Sequence, residues 1–209
     1  LVFGKDHKNG GRFVRAKGGK DVVVVAKSFY QLGQKPGSWL DDEFFKIGDI
    51  QEATLTEDGK ELWKATRKDK TADMELAGEL PEGKEVDTYK LGRVKSAFSY
   101  ARFTDVKRAD AAKPEETGMD KPKVFVARQF DGMVYTVTIG AKDKDDKFHT
   151  AVQAAYEGPM ERTPAEGEKP EDKEKNDKEF ADKLAEFQKT VAAVNARTKD
   201  WIYLIDNWS

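Results

Sequence analysis

The sequence contains no cysteine, which excludes disulfides, thiol catalysis and cysteine-ligated metal sites. Histidine is nearly absent too, with only His7 and His149. A metal site built on them would need a third ligand and convergence in space, so they read as ordinary surface histidines, and no metal or cofactor is expected. No apolar run approaches the ~18 residues that a membrane-crossing helix needs, and no signal peptide is visible. Charge of a single sign is also missing. The 37 Lys+Arg and 39 Asp+Glu nearly cancel and are interspersed, so there is no broad basic field for nucleic acid.

Catalytic patterns are equally sparse. Ser28, Ser38, Ser96 and Ser99 lie outside any nucleophile-elbow context. The glycine-bearing stretches GGKD, GKDHKNGG and DGK lack the Lys-Ser/Thr that a phosphate-binding loop places at a helix start. Asp143 to Lys147 (DKDDK) lacks the central glycine and distal glutamate of a calcium loop and reads as a solvated turn. Carboxylate pairs such as Asp41-Asp42 and Glu115-Glu116 sit in charged segments with nothing to shift their pKa, so no enzyme is expected. Basic residues beside aromatics, as in GRFVRAK and FSYARF, place the rings inside and the charges outside.

What is present is a polar but foldable chain. Its 38% hydrophobic content lies below the usual ~45–50% and its 36% charged content above the usual ~25%. The excess charge is concentrated in a few segments, so a folded body with very polar loops is expected. Its centre is Lys123 to Ala155, where Val124 to Gln129, Val134 to Ile139 and Phe148 to Gln153 alternate apolar and polar residues. Alternation puts every second side chain on one face, and Asp131-Gly132 is a hairpin signal, so a three-stranded antiparallel meander is predicted.

Around that meander, strands are expected at Arg12 to Ala16 and Val22 to Ala26, the four valines suggesting a strand covered on both faces. A short helix capped by Ser38 carries Trp39, Leu40, Phe44 and Phe45. Further strands fall near Ile50 to Thr56, Leu62 to Arg67 and Met74 to Ala77. Val86 to Phe103 reads as a helix N-capped by Asp87, with Leu91, Val94, Phe98 and Ala101 as its stripe. Glu157 to Lys178 is nearly devoid of apolar residues and is expected to be a mobile loop. A helix at Asp177 to Arg197 presents Phe180, Leu184, Phe187, Val191 and Val194 to the sheet, and WIYLIDNWS closes the chain with a strand.

The two ends resemble each other. DVVVVAKSF aligns on DWIYLIDNW, matching Asp21 with Asp200, and LVFGK and RFVRA correspond to TVTIGAK and KFHTAV, with Phe13 on Phe148. The expected fold class is α+β: antiparallel sheets (meanders) packed by two long helices and one short helix, internally duplicated. Residues 1–48 are then the tail of a first α+β repeat and residues 49–209 a complete second repeat with the disordered-leaning polar loop at 157–178.

LWKATRKD, KLGRVKSAFSYARFTDV, TGMDKPKVFVARQFDGMVYTVTIG and the KFHTAV strand together resemble a bacterial family of domains of unknown function, DUF 4340. The positions that match its turns and aromatics are Trp63, Phe103 to Val106, Gly118 to Pro122, Asp131 to Gly140 and Phe148. The charged loop Glu157 to Lys178 and His149 depart from the pattern. The resemblance implies an extracytoplasmic (periplasmic) protein tethered through an upstream membrane anchor, with protein partners in an ABC-type transporter complex or a gliding-motility system. A first residue other than methionine accords with a piece cut from such a protein.

The expected function is a non-catalytic interaction and scaffold domain, with no nucleic acid as partner and the membrane reached only through that anchor. The alternative is a periplasmic binding module for a peptide or glycan, with Trp39, Trp201 and Trp208 as exposed aromatics beside a groove. An unrecognised hydrolase is the remote third reading.

Overall fold

A computed structural model describes residues 1–27, 29, 45–78, 80, 83 and 85–206. The chain divides into two compact units, Leu1–Leu40 and Asp41–Ser209.

The first unit is an antiparallel sheet of β1 (Val2–Asp6), β2 (Arg12–Arg15) and β3 (Val22–Val25), in that order. Val14 is its buried apolar residue, and the Phe13 ring meets His7 edge-on at 5.4 Å. β3 is an edge strand among the described residues. The expectation that its valines are covered on both faces is therefore corrected: Val22, Val23 and Val24 are exposed, because branched side chains suit any strand and burial needs a neighbour that β3 lacks among the described residues.

The second unit holds an eight-stranded antiparallel sheet, built from β4 (Ile50–Glu57), β5 (Lys60–Thr66), β6 (Glu75–Leu76), β7 (Phe103–Arg108), β8 (Lys123–Gln129), β9 (Met133–Lys142), β10 (Phe148–Tyr156) and β11 (Trp201–Ile205). Their order is β6-β5-β4-β8-β9-β10-β11-β7. The predicted meander is its centre, β8-β9-β10, with Gly132 at a φ of 89° in the first turn. Cross-strand partners share a face. The register Ala65↔Ala53↔Ala127↔Tyr135↔Ala154 therefore defines the core face, joined by Phe125, Val137 and Val152.

Three helices accompany the sheet: α1 (Thr88–Val94), α2 (Pro114–Thr117) and α3 (Pro170–Thr198). The fold is α+β, as expected, with two longer helices, α1 of 7 residues and α3 of 29, and the short α2 among the described residues, α1 being shorter than the span predicted for it. Asp87 does cap α1, its carboxylate accepting the Lys90 amide at 3.0 Å. The helix ends at Val94, however, where the backbone passes into tight turns with Ser96 N donating to Arg93 O and Ala97 N to Val94 O, and Phe98 then adopts a left-handed φ of 61°. That turn lets the Phe98 carbonyl accept the Ile47 amide at 3.2 Å, and the chain leaves as β7. Phe98 fills the core all the same, against Phe45 at 5.9 Å and Phe125 at 5.5 Å between ring centroids. Its burial satisfies the stripe without a helix.

The loop expected at 157–178 is also shorter, because α3 starts at Pro170. Proline suits the first helical position, and Glu171 and Asp172 complement the positive end of the helix dipole. Ahead of it Arg162 donates to Glu168 at 2.6 and 2.8 Å and to Asp177 at 2.7 Å, giving this polar segment a fixed geometry. α3 packs on β10 and β11: Phe187 stacks on Tyr156 at 5.2 Å, and Val194 is buried in the core. Of the short helix expected after Ser38, residues 38–44 lie outside the described residues, and Phe45, its last apolar residue, is buried in the core without helical structure.

The first unit repeats the register of β9-β10-β11. Val2↔Arg15, Phe3↔Val14 and Asp6↔Arg12 correspond to Thr138↔Ala151, Ile139↔Thr150 and Lys142↔Phe148. Both hairpins carry one extra residue on the first strand, beside Gly4 and Gly140. The turns agree as well: His7 N donates to Gly11 O and Asp143 N to Lys147 O, while Gly10 N donates to His7 O and Asp146 N to Asp143 O. Likewise Arg12↔Val25, Phe13↔Val24 and Val14↔Val23 correspond to Phe148↔Ile205, His149↔Leu204 and Thr150↔Tyr203. Phe13 thus answers to His149 and Val22 to Ile202, one position away from the alignment read off the sequence. The outermost apolar letters invited that slip.

Candidate functional site

Two surfaces stand out, one in each unit. On the first, Val22, Val23 and Val24 of β3 are 59%, 57% and 46% exposed, whereas Ile202, Tyr203 and Leu204 at the corresponding positions of β11 are 6%, 3% and 6% exposed. The difference lies in what stands beside each strand. β11 has β10 on one edge and β7 on the other, with α3 packed on it, while β3 has only β2 among the described residues. A bare run of valines on an edge offers both apolar surface and unpaired backbone groups.

The second surface is a cavity of about 420 Å³ at one end of the core face of the large sheet. Leu55, Ile139, Thr150 and Ile205, from β4, β9, β10 and β11, form its floor, and Phe98 and Phe148 stand in its walls. Its rim is charged: Lys123 pairs with Glu57 at 3.5 Å, Asp206 with Lys147 at 3.9 Å, and Lys121 stands beside them. An apolar floor below a mixed-charge rim suits an apolar side chain carried on a polar backbone.

Of the tryptophans singled out by the sequence, Trp39 and Trp208 lie outside the described residues. Trp201 opens β11 half-buried, packed against the core, with the Arg108 guanidinium 5.7 Å from its ring centroid. It takes no part in lining the cavity. The cavity residues escaped sequence reasoning because they come from the ends of separate strands, and no local spacing announces them. The valine run was visible, but its exposure was not.

The polar clusters are structural. His149 is buried, not a surface residue, and its Nδ1 lies 2.8 Å from Ala141 O and its Nε2 3.0 Å from Lys107 Nζ. Arg67, also buried, donates to the carbonyls of Ile50 at 2.5 Å and Lys70 at 2.7 Å and lies over the Phe130 ring. Hydrogen bonds from Arg162, then from Asn176, hold the Glu168 carboxyl below the usual glutamate range, and hydrogen bonds to Glu168 and then Asp177 raise Arg162. Burial lifts the Tyr135 hydroxyl above its ordinary value. Among the described residues no group of three metal-binding side chains occurs, and no helix is long and apolar enough to cross a membrane.

Comparison with known proteins finds one family model, described as Domain of unknown function (DUF4340), matching residues 1–122. No curated protein and no solved structure matches the chain.

Proposed function

The chain belongs to the DUF4340 family, and from that premise we propose that it is a non-catalytic interaction and scaffold domain. Its setting is extracytoplasmic and membrane-anchored, beside an ABC-type transporter or gliding-motility system, as the resemblance of its motifs implies. The observation that supports a holding role is β3, whose valines are exposed where the matching strand of the large sheet is covered. Among the described residues no strand covers the outer edge of β3, and exposed apolar surface of this kind is where a partner can seat.

A photo-reactive amino acid at Val23, introduced in the native host, tests the proposal. The expected product is a cross-link to a membrane-transporter subunit identified by mass spectrometry. Cross-links confined to cytosolic proteins would overturn it.

The cavity favours a second reading, a binding module for a peptide. Its floor is mainly apolar and its rim carries charges of both signs, a combination that suits an apolar side chain on a polar peptide backbone. Ile139→Trp would fill the floor. Loss of peptide binding in that variant, with circular dichroism unchanged, is the expected result, and undiminished binding would remove this reading.

A further inference from the structure

We infer that the cavity of the large sheet receives the apolar last residue of a peptide chain, with the Lys121 ammonium donating to its terminal carboxylate. This rests on the reading of the cavity as a peptide site and adds which part of a peptide enters. The charges on the rim select it. Glu57 is paired with Lys123 at 3.5 Å and Asp206 with Lys147 at 3.9 Å, so each rim carboxylate already has a cation. Lys121 lines the same rim and makes no ion pair or hydrogen bond among the described residues. The rim is therefore left with one spare positive charge, which complements an anion and repels the ammonium at the other end of a peptide.

Below the rim no polar group is spare. Thr150 carries the one hydroxyl among the described lining residues, and it donates to Phe148 O at 3.3 Å. The part of the ligand that enters is thus apolar, and its charge stays at the mouth. An internal stretch of peptide brings no charge to meet Lys121, whereas an apolar last residue brings side chain and carboxylate on one carbon. Capture of a terminal carboxylate is a recurring mode of peptide recognition. The two ion pairs of the rim also offer donors and acceptors beyond the one ammonium, which peptide N–H and C=O groups can use and a hydrocarbon acid cannot.

The probes are labelled six-residue peptides GSGSGX, with leucine, isoleucine, valine or phenylalanine as X, each made with a free C-terminal carboxylate and as the C-terminal amide. Fluorescence anisotropy with the 209-residue chain should show saturable binding of at least one acid, weakened about fivefold or more in the matching amide and in the Lys121→Gln chain. Lys121→Arg keeps the cation and should keep most of the affinity. Rising salt should weaken the acid and leave the amide nearly unchanged, a difference that loss of folding cannot produce. Lys121 is exposed, so the fold should survive its substitution, which circular dichroism checks. Lys173→Gln on α3 is the control that should leave binding unchanged.

Equal binding of acid and amide, with Ile139→Trp abolishing both, overturns the terminal assignment and leaves the peptide reading standing. No saturable binding by any of the peptides overturns the two together. Decanoate that binds where no peptide does, and is lost in Lys121→Gln, also overturns them by making a free acyl chain the occupant. Peptide binding that appears only with Trp208→Ala makes the chain's own end the occupant of the native cavity, and the inference falls.

Discussion

Gly140 lies where the backbone of β9 passes directly over α2, and an added Cβ there would overlap the Thr117 carbonyl oxygen. Across the same contact Gly118 sits at a left-handed φ of 70°, its own missing Cβ pointing at Ala141. The pair of glycines lets a short helix seat on the sheet where any side chain would force it away. Gly140→Ala should therefore destabilise the chain by about 1–3 kcal/mol, the usual cost of overpacking, read as a lowered urea midpoint with unchanged slope. Glu168 carries a different prediction. Its folded-state pKa is depressed, chiefly by Arg162 and then by Asn176. A depressed carboxyl contributes stability that is present above its unfolded value and lost as pH falls through the folded one. Amide protection in the first turns of α3, from Lys173 onward, should hold at neutral pH and weaken as pH falls below the ordinary glutamate range, and Arg162→Ala should remove that pH dependence.

Between elements, the junction of α3 with β10 is the most informative. β11 pairs only with Phe148, His149 and Thr150, so farther along β10 the strand edge is open. Asn195 closes it, its amide donating to Ala154 O and its carbonyl accepting Ala154 N, both at 2.8 Å. Asn195→Leu keeps the volume but strands two backbone groups, and a loss of about 1–3 kcal/mol is expected by chemical denaturation. These elements also show where sequence was readable. The meander was legible because alternation and Asp131-Gly132 are local signals. β7 was not, because Leu91, Val94, Phe98 and Ala101 keep helical spacing although Phe98 turns the chain. The first turns of α3 were hidden too, since they rest on proline, dipole charges and the Arg162 cluster, none of which leaves an apolar stripe. The exposed valines and the cavity depend on which strands are neighbours, and that information lies in topology.

At the scale of the whole molecule, β1, β2 and β3 share their register with β9, β10 and β11, and a chain built twice from one plan is the proposal that this likeness puts to the test. Chance pairing of short apolar strands explains an alternation, but it does not explain the same extra residue at the same place, beside Gly4 and Gly140. Nor does it explain turns with the same hydrogen bonds, in which His7 Nδ1 accepts the Asn9 amide at 3.3 Å as Asp143 Oδ1 accepts that of Asp145 at 2.9 Å. If one plan underlies both, their turns are interchangeable within steric limits. Those limits can be read in advance: Gly10, at a φ of 90°, answers to Asp146 at 63°, and aspartate is tolerated there. Gly11 has to stay, because a Cβ on it would overlap the Val25 carbonyl. Replacing residues 7–10, HKNG, by DKDD from 143–146 should therefore preserve the hairpin, with cross-strand NMR contacts between Phe3 and Val14 intact and thermal stability within a few degrees. Extending the exchange to Gly11→Lys should cost about 1–3 kcal/mol through strain at that one residue. A chimera in which DKDD alone abolishes the Phe3 to Val14 contacts would show that the two turns are alike only in outline, and the common plan would fall with it.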